Sequence, residues 1–251
     1  EAINYSKDRL KNYLDRVELL NCNFREITNY LKQKNLKADG ILLDLGVSSH
    51  QIDDSERGFS FRFTGPLDMR MNREQSLSAY EVVNNYDETK LANIIYEYGE
   101  ERLSRQIAKA IVNSRPLKTT EELKTIVESV VSRYNKREVK SSVQRVFQAI
   151  RIEVNGELEG LYDFILSLAD VTAEGGRIAI ITFHSLEDRI VKRAFNELCT
   201  GCVCPPNLPI CVCGHKPVAK FVNKKPITAT EEELKDNTRA SSAKLRVIEI
   251  L

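Results

Sequence analysis

Residues 38–71, ADGILLDLGVSSHQIDDSERGFSFRFTGPLDMRM, are the stretch from which the fold is interpreted. The apolar run Ile41–Leu43 is too short to span a membrane and indicates a buried central strand. It ends at Asp44, and Gly46 follows two residues later. Ligands of open α/β sheets bind beyond the carboxyl ends of strands, so Asp44 is placed to touch a small molecule. Gly46 lets the backbone come close to that molecule.

The segment after Asp44 shows no helical or alternating pattern up to Met71. A loop of that length inside a compact domain is usually functional or disordered. Its aromatic and aliphatic side chains, Phe59, Phe61, Phe63 and Leu67, argue against disorder. We therefore predict an ordered, functional loop.

Composition limits the function classes. A chain of 251 residues with 42% hydrophobic and 29% charged residues is typical of a soluble globular protein of one large or two modest domains. The net charge of +1 means that RNA binding would need local basic clusters, although solvated surfaces also contain such runs. The candidates are Arg133, Lys136, Arg137, Lys140 and Arg145; Lys216, Lys220, Lys224 and Lys225; and Arg239, Lys244 and Arg246.

Targeting signals are absent from the sequence as it stands: there is no apolar span near 18 residues, no signal peptide and no lipidation motif. We therefore expect a cytoplasmic protein. The chain begins at Glu1 rather than Met, directly in a helical pattern, so we interpret it as a segment of a longer protein.

The N-terminal pattern alternates helices and strands. It predicts an amphipathic helix over 2–16, a strand over Val17–Cys22 and a helix over Phe24–Lys34. With the Ile41–Asp44 strand, this order predicts an α/β fold with a parallel, doubly wound sheet. Phe24, at a strand end, can lie against an adenine ring or belong to the core.

From Ser76 to Lys140 the pattern is purely helical, with capping boxes at Ser78/Glu81 and Thr119/Glu122. This predicts a helical domain inserted into the α/β fold. The expected domains are 1–75 and 141–251 for the two parts of the sheet domain and 76–140 for the insertion.

The C-terminal part returns to the sheet. A long helix over Ser141–Ala169 is predicted to end at Glu174-Gly175-Gly176. Arg177–Phe183 is predicted as a second buried strand that leads into His184 and Ser185, and Ser185 fits a helix N-cap. Leu245–Leu251 alternates and is predicted as a final strand.

Five of the six cysteines lie close together: Cys199, Cys202, Cys204, Cys211 and Cys213, with His215 beside them. In a cytosolic chain this clustering indicates metal or redox chemistry before disulfides. C-x-C pairs are a poorer zinc signature than C-x2-C pairs, and thiols in a surface hairpin remain the alternative. Whether a metal binds is left open; a bound metal would be structural.

The motif DLGVSS-x-Q-x-DD-x-ERGFSF, followed by GPLDMRM, resembles the signature of the bacterial small-subunit rRNA cytosine-N4 methyltransferases, the RsmH or MraW family. Four later stretches agree: YGEER at Tyr98–Arg102, FQAIRIEVNGEL at Phe147–Leu158, FHSLEDRIVKR at Phe183–Arg193 and RASSAKLR at Arg239–Arg246. The resemblance covers essentially the whole chain. Thr64 departs from it, since relatives usually carry an acid there.

The resemblance implies a Rossmann-like sheet that uses S-adenosylmethionine to methylate the exocyclic N4 of a cytidine in the decoding region of 16S rRNA. The implied partner is this rRNA or the small ribosomal subunit, not a membrane; a homodimer is an open alternative. Phe24, Asp44 and Gln51 match family positions that contact the cofactor. Gln148, Arg151 and Asn155 lie where the family holds the target nucleoside.

The chemistry needs alignment of a weak amine nucleophile with an activated methyl group, and acceptors for the amine hydrogens. Asp44 can accept from the amine; the alternative is a structural turn acid. His184, at a strand end, has a pKa range suited to proton shuttling; an orienting hydrogen bond is an equal alternative. Asp44 and His184 are therefore the candidate catalytic residues.

The Gly-rich turn that opens dinucleotide-like folds is missing from this sequence. In the similar family it lies just upstream of the position of Glu1, so we expect the first strands to be missing and cofactor binding by this segment alone to be in doubt. Two alternatives follow: a catalytically silent RNA-binding or ribosome-assembly module, and a methyltransferase acting on another nucleic acid or a small molecule.

Overall fold

The computed structural model describes residues 2–202, 204 and 212–251. These residues fall into two compact units. The sheet unit comprises 1–43, 160–181 and 190–251, and the helical unit comprises 44–159 and 182–189. The helical unit has wider limits than the 76–140 segment that the sequence indicates, because it also contains the 44–75 loop and the helix that follows residue 138.

The helices of the described residues, in chain order, are α1 (Ala2–Arg9), α2 (Ile27–Gln33), α3 (Ser49–Asp53), α4 (Ala79–Asn85), α5 (Glu88–Gly99), α6 (Ser104–Asn113), α7 (Thr120–Val131), α8 (Val139–Asn155), α9 (Leu161–Ser167), α10 (Ser185–Cys199) and α11 (Glu231–Asp236). The strands are β1 (Ala38–Asp44), β2 (Thr172–Thr182), β3 (Ala219–Phe221), β4 (Ile227–Thr228) and β5 (Lys244–Ile250). None of these helices is both long and apolar enough to cross a membrane.

The sheet has the order β1-β2-β5-β3, and β4 also pairs with β5. β5 runs antiparallel to β3, with Ala219 opposite Ile250, and antiparallel to β4. The fold is therefore mixed α/β, and the prediction of a parallel sheet is wrong for the part of the sheet that β3, β4 and β5 form. The final strand predicted over Leu245–Leu251 is confirmed as β5, and its Ile248 is fully buried.

The strand predicted before Asp44 is confirmed as β1, but the expectation of a buried central strand is wrong. Within the described sheet β1 has one neighbour, β2, and lies at the edge. Leu42 is 67% exposed, whereas Leu43 is buried. A strand with one paired edge leaves much of its surface uncovered, which the apolar run alone does not reveal.

Three N-terminal expectations need correction. The helix predicted over 2–16 ends at Arg9 and is followed by a short 3-10 turn. Val17–Cys22 does not form a strand, because no strand of the described sheet pairs with it. The helix predicted from Phe24 starts as a 3-10 turn, in which the Asn23 side chain accepts from the Arg25 N–H at 3.0 Å, and continues as α2.

The helical unit is built around α5, α6, α7 and α8, which pack on one another. Its core consists of fully buried aliphatic side chains, among them Leu91, Ile95, Ile107, Ile111, Leu123 and Ile150. Of the two predicted capping boxes, the one at Thr119 and Glu122 is complete. At Ser78 the structure shows only the N-cap half, in which Ser78 Oγ accepts from the Glu81 N–H. The spacing of apolar residues and the caps therefore suffice to define these helices.

The predicted long helix over Ser141–Ala169 is interrupted. α8 ends at Asn155 and is capped by Gly156, which adopts φ 55°; Gly160, at φ 64°, precedes α9. Two residues in the left-handed region end one helix and reorient the next, which explains the break. Glu174-Gly175-Gly176 does not end a helix; it lies inside β2, which starts earlier than the predicted Arg177.

Candidate active site

Asp44 lies exposed at the carboxyl end of β1, as predicted. Gly46 follows with φ 89°, and a Cβ atom there would lie 3.8 Å from Cδ2 of Phe183. The segment after β1 therefore runs close to the residues that follow β2. The structure thus places Asp44 and His184 on neighbouring segments of the helical unit.

Gln51 is held by a capping box at the start of α3. The Ser48 N–H donates to Gln51 Oε1 at 2.9 Å, and the Gln51 N–H donates to Ser48 Oγ at 3.3 Å. The side-chain oxygen of Gln51 is therefore engaged, and its NH2 group is the part that it can offer to a ligand.

The loop after α3 is ordered by its own charged residues. Arg57 is buried, and its Nη2 donates to the carbonyl of Arg70 at 2.7 Å. Arg70 pairs with Asp68 at 2.9 Å. Burial would raise the pKa of Asp68, but hydrogen bonds from Arg70 lower it below its usual range. These three residues therefore contribute to the order of the loop.

Asn155, at the end of α8, holds the same loop. Its Oδ1 accepts from the Met71 N–H at 2.7 Å, and its Nδ2 donates to the Met69 carbonyl at 2.8 Å and to the Arg151 carbonyl at 2.9 Å. Arg151 in turn makes two hydrogen bonds to Glu157, at 2.8 and 2.9 Å. Gln148 Nε2 donates to the Tyr98 carbonyl at 3.0 Å, so all three residues expected near a target nucleoside are engaged within the protein.

His184 is buried against Glu187. The Glu187 N–H lies 3.5 Å from Nδ1 of His184, and Nε2 lies 3.2 Å from Glu187 Oε1. The second contact is an ion pair by distance only, since Nε2 is a buried atom without a properly aligned hydrogen bond in the described structure. Glu187 Oε2 accepts from the Phe183 N–H at 2.9 Å. The pair therefore ties the segment after β2 to the first turn of α10.

Glu187 remains a carboxylate in this environment. Burial would raise its pKa, but the contact with His184, the N–H of Phe183 and the positive charge of Arg151 together hold the pKa below its usual range. A buried carboxylate in contact with an imidazole orients the ring. The arrangement supports the orienting interpretation of His184 over the proton shuttle.

A second charged group lies at the start of α10. Ser185 Oγ donates to Glu100 Oε2 at 2.6 Å, and Arg189 Nη2 donates to Glu100 Oε1 at 2.9 Å. The hydroxyl of Ser185, then Arg189, hold the pKa of Glu100 below its usual range. Sequence reasoning missed Glu100 and Glu187 as site residues, although both lie in the stretches YGEER and FHSLEDR on which the resemblance rests.

Phe24 belongs to the sheet unit. Its ring is 40% exposed, and it packs edge-on against Phe164 with ring centroids 5.2 Å apart. The guanidinium of Arg25 lies 5.5 Å from its centroid. Phe24 is therefore neither plain core nor fully exposed, and part of the ring is available to a ligand.

The predicted metal residues separate into two groups. Cys199 stands apart on α10, and burial raises the pKa of its thiol to about 11. The sulfur atoms of Cys202, Cys204 and Cys213 come together. Cys211 lies outside the described residues.

The basic clusters also divide. Arg145 pairs with buried Glu101, Arg246 is buried and Lys220 pairs with Glu249. Several basic residues of the helical unit remain exposed from the end of α7 to the first turn of α8: Arg133, Lys136, Arg137 and Lys140. These residues form one basic group that a phosphate backbone could reach, and Lys216, Lys224 and Lys225 of the sheet unit are exposed as well.

Comparison with known proteins identifies the family. The model of the MraW methylase family matches residues 1–251. The chain belongs to the MraW methylase family. It is 47% identical over 254 residues to the ribosomal RNA small subunit methyltransferase H of Brevibacillus brevis, an alignment that covers 100% of this chain and 81% of that protein.

Other relatives carry the same name. The Fusobacterium nucleatum protein is 49% identical, covering 99% of this chain and 79% of the relative, and that of Clostridium botulinum strain Kyoto is 50% identical, covering 98% and 80%. Members of the MraW methylase family with this name are methyltransferases, which does not favour a catalytically silent module.

The residues present fit the cofactor that the MraW methylase family implies. An adenosyl group needs an aromatic or apolar surface and polar partners, and a strand-end carboxylate suits its hydroxyl or amino groups. Within the helical unit, the exposed carboxylate of Asp44 and the NH2 group of Gln51 supply polar partners of this kind. Within the sheet unit, the partly exposed ring of Phe24 supplies an aromatic surface.

Proposed function

We propose that this protein transfers the methyl group of S-adenosylmethionine to the N4 amine of a cytidine in the decoding region of 16S rRNA. The observation that carries the proposal is identity of 47–50% over 98–100% of the chain to proteins named ribosomal RNA small subunit methyltransferase H. The substrate is the rRNA or the small ribosomal subunit, and the reaction takes place in the cytoplasm.

The fold we propose is a Rossmann-like S-adenosylmethionine-dependent sheet with the helical unit as a substrate-binding insertion. The mixed α/β sheet and the all-helical core around α5–α8 support this assignment. The exposed basic residues between α7 and α8 support RNA binding by the helical unit.

The cofactor supplies a methyl group already activated by its sulfonium. The protein has mainly to align the N4 amine with that methyl group and to accept hydrogen bonds from the amine. We assign to the carboxylate of Asp44 the role of accepting a hydrogen bond from the N4 amine. This contact fixes the direction of the nitrogen lone pair and takes part of the positive charge that develops on the amine. Asp44 is exposed at the strand end, so a nucleoside can reach it.

Phe24 and Gln51 are assigned to the cofactor. The half-exposed ring of Phe24 offers a face to the adenine, and the NH2 group of Gln51 offers a donor. The carboxylate of Asp44 can also accept a hydrogen bond from a cofactor hydroxyl. The Asp44→Asn variant distinguishes this contact from the contact with the amine.

His184 acts as a positioning residue in this proposal. Its imidazole is buried against Glu187, and together they hold the segment after β2 next to the segment that carries Asp44. Replacing His184 by Gln should lower kcat by a similar factor at every pH. If His184 were the proton acceptor, the variant would instead lose the pH-dependent limb of the rate profile that reports its titration.

The test of the function is methyl incorporation. Purified protein is mixed with radiolabelled S-adenosylmethionine and, separately, with assembled small subunits, free 16S rRNA and DNA. We expect label in the rRNA alone, recovered as N4-methylcytidine by mass spectrometry, and no label when the target cytidine is replaced by uridine. Label in DNA, or label that survives the uridine replacement, would contradict the proposal.

The test of Asp44 uses a control on the same strand. Asp44→Asn should lower kcat at least 100-fold, whereas Asp39→Asn, which changes an equally exposed carboxylate on β1, should leave the rate unchanged. Equal rates for both variants would remove Asp44 from the site.

Cofactor binding is measured separately by calorimetric titration with S-adenosylhomocysteine. Phe24→Ala should weaken binding about tenfold, the loss expected for one aromatic contact of 1–1.5 kcal/mol. Tyr13→Ala, which removes a ring that is 48% exposed in the same unit, should not change affinity. If Asp44→Asn also weakens this binding, Asp44 contacts the cofactor; if it lowers only kcat, Asp44 contacts the amine.

A further inference from the structure

Three cysteines between α10 and β3 form a cluster that the proposed methyl transfer does not use. The sulfur atoms of Cys202, Cys204 and Cys213 all lie within 4.8 Å of one another. All three residues belong to the sheet unit. They come from two C-x-C pairs of the sequence, of which the fourth cysteine, Cys211, lies outside the described residues.

The spacing of the sulfur atoms is that of metal thiolates. In a tetrahedral zinc site with Zn–S bonds of about 2.3 Å, two ligand sulfurs are about 3.8 Å apart. Sγ of Cys202 lies 3.8 Å from Sγ of Cys213. A disulfide would need about 2.05 Å. The pair is therefore at the separation of two ligands of one metal ion.

Backbone N–H groups are directed at the same sulfur atoms. The Cys204 N–H donates to Sγ of Cys202 at 3.4 Å, and the N–H groups of Val212 and Cys213 bond to the sulfur of Cys204. Such donors stabilise negative charge on sulfur, and metal ligands are commonly held by hydrogen bonds of this kind. The backbone on both sides of the cluster is thus arranged for thiolates.

We propose that Cys202, Cys204 and Cys213 bind one zinc ion, a structural site that fixes the connection between α10 and β3. Thiolate ligands select soft or borderline ions such as Zn²⁺, and three thiolates leave one tetrahedral position for a further ligand. The ring nitrogens of His215 do not belong to this cluster, and its Nδ1 lies 2.6 Å from the carbonyl of Gly201, so the fourth position is open to a water molecule or another ligand.

The first experiment measures metal in the whole protein, purified under reducing conditions. Elemental analysis after incubation with zinc and removal of excess should give one zinc per chain. Replacement by Co²⁺ should give an intense near-ultraviolet thiolate-to-cobalt absorption band. Both signals should be lost in the triple variant Cys202→Ser, Cys204→Ser, Cys213→Ser and kept in Cys199→Ser and Cys22→Ser, the matched controls outside the cluster.

A second measurement uses the unaltered protein, because the triple variant could fail to fold. A thiol reagent should react with Cys202, Cys204 and Cys213 at least tenfold more slowly in the zinc-loaded protein than after a chelator is added, as counted by mass spectrometry of the labelled peptides. Cys22 should react at the same rate in both samples, since it is exposed and outside the cluster.

Two results would overturn the proposal: less than one zinc for every ten chains after loading, or zinc retained by the triple variant. None of these readouts depends on methyl transfer. A failure of the rRNA assay with a positive zinc result, or the reverse, therefore separates this proposal from the proposed function.

Discussion

Replacing Asn155 by Ala tests whether this residue holds the loop or the substrate. In the structure, its side-chain oxygen accepts from the Met71 N–H at 2.7 Å, and its side-chain NH2 group donates to the Met69 carbonyl at 2.8 Å. Both partners are backbone groups of the loop that begins at Asp44. The Ala variant removes both hydrogen bonds and leaves those two groups without their partner.

The expected cost follows from these two bonds. A neutral intramolecular hydrogen bond contributes about 1 kcal/mol net, so the two loop contacts together contribute about 2 kcal/mol. For a protein of this size, 1 kcal/mol shifts Tm by about 2–4 °C, so we expect Asn155→Ala to lower Tm by roughly 4–8 °C. The loop should also exchange its amide hydrogens faster, first at Met71, whose N–H is the donor to Asn155.

The assay combines thermal unfolding by circular dichroism with hydrogen exchange of peptides that cover 57–71. Asn113→Ala is the control, since Asn113 is an exposed asparagine on α6 in the same unit. Its Tm should change by less than about 1 °C, the usual result for a surface substitution. An unchanged Tm for Asn155→Ala together with lost methyl transfer would refute the reasoning and would mean that Asn155 binds the nucleoside.

Three further changes test the structure. Glu101→Gln breaks the pair with Arg145 and should cost about 1–3 kcal/mol at pH 7. Burial opposes ionisation of Glu101, but its hydrogen bonds lower the folded-state pKa, so its stabilisation is present above about pH 5 and lost as pH falls through that lowered pKa. Urea titrations should show that the unfolding free energies of the unaltered protein and of Glu101→Gln converge as the pH falls; a difference that stays constant with pH would contradict this assignment. Thr119→Ala removes a capping box, which should lower the free energy of unfolding by about 1 kcal/mol and Tm by about 2–4 °C; an unchanged Tm would contradict the cap. Gly58→Ala places a Cβ 2.1 Å from the Pro66 carbonyl at φ 67°, so the loop should become protease-sensitive; unchanged digestion would argue against this backbone.

Local signals in the sequence were sufficient for part of the fold. The capping residues Ser78 and Thr119 define helix starts because their side chains bond to N–H groups only three residues away. The alternation of the last seven residues predicts β5 because one face of the strand is buried. The position of Asp44 at a strand end follows from a short apolar run and a following glycine.

Other elements depend on partners that the local sequence does not specify. Val17–Cys22 has β-forming residues but no strand beside it in the described sheet, so propensity alone misleads. The sequence allows Gly156 inside a helix, but in the structure it adopts a left-handed conformation and caps the end of α8. Glu100 and Arg189 are 89 residues apart in the chain, and nothing in either stretch indicates that they meet.

The resemblance places Asn155 near the target nucleoside, and nothing in the sequence around it indicates its contacts with the loop. Its stretch resembles a family motif, but its partners Met69 and Met71 lie more than 80 residues upstream. Asp44 and Gln51 belong to the beginning of that loop, and Asn155 holds its end. Since Arg57 binds the carbonyl of Arg70 within it, the loop is tied at several points to one compact unit. Substitutions in α8 should therefore reach methyl transfer through the position of Asp44, and a mutation far from the amine can lower the rate without touching either substrate.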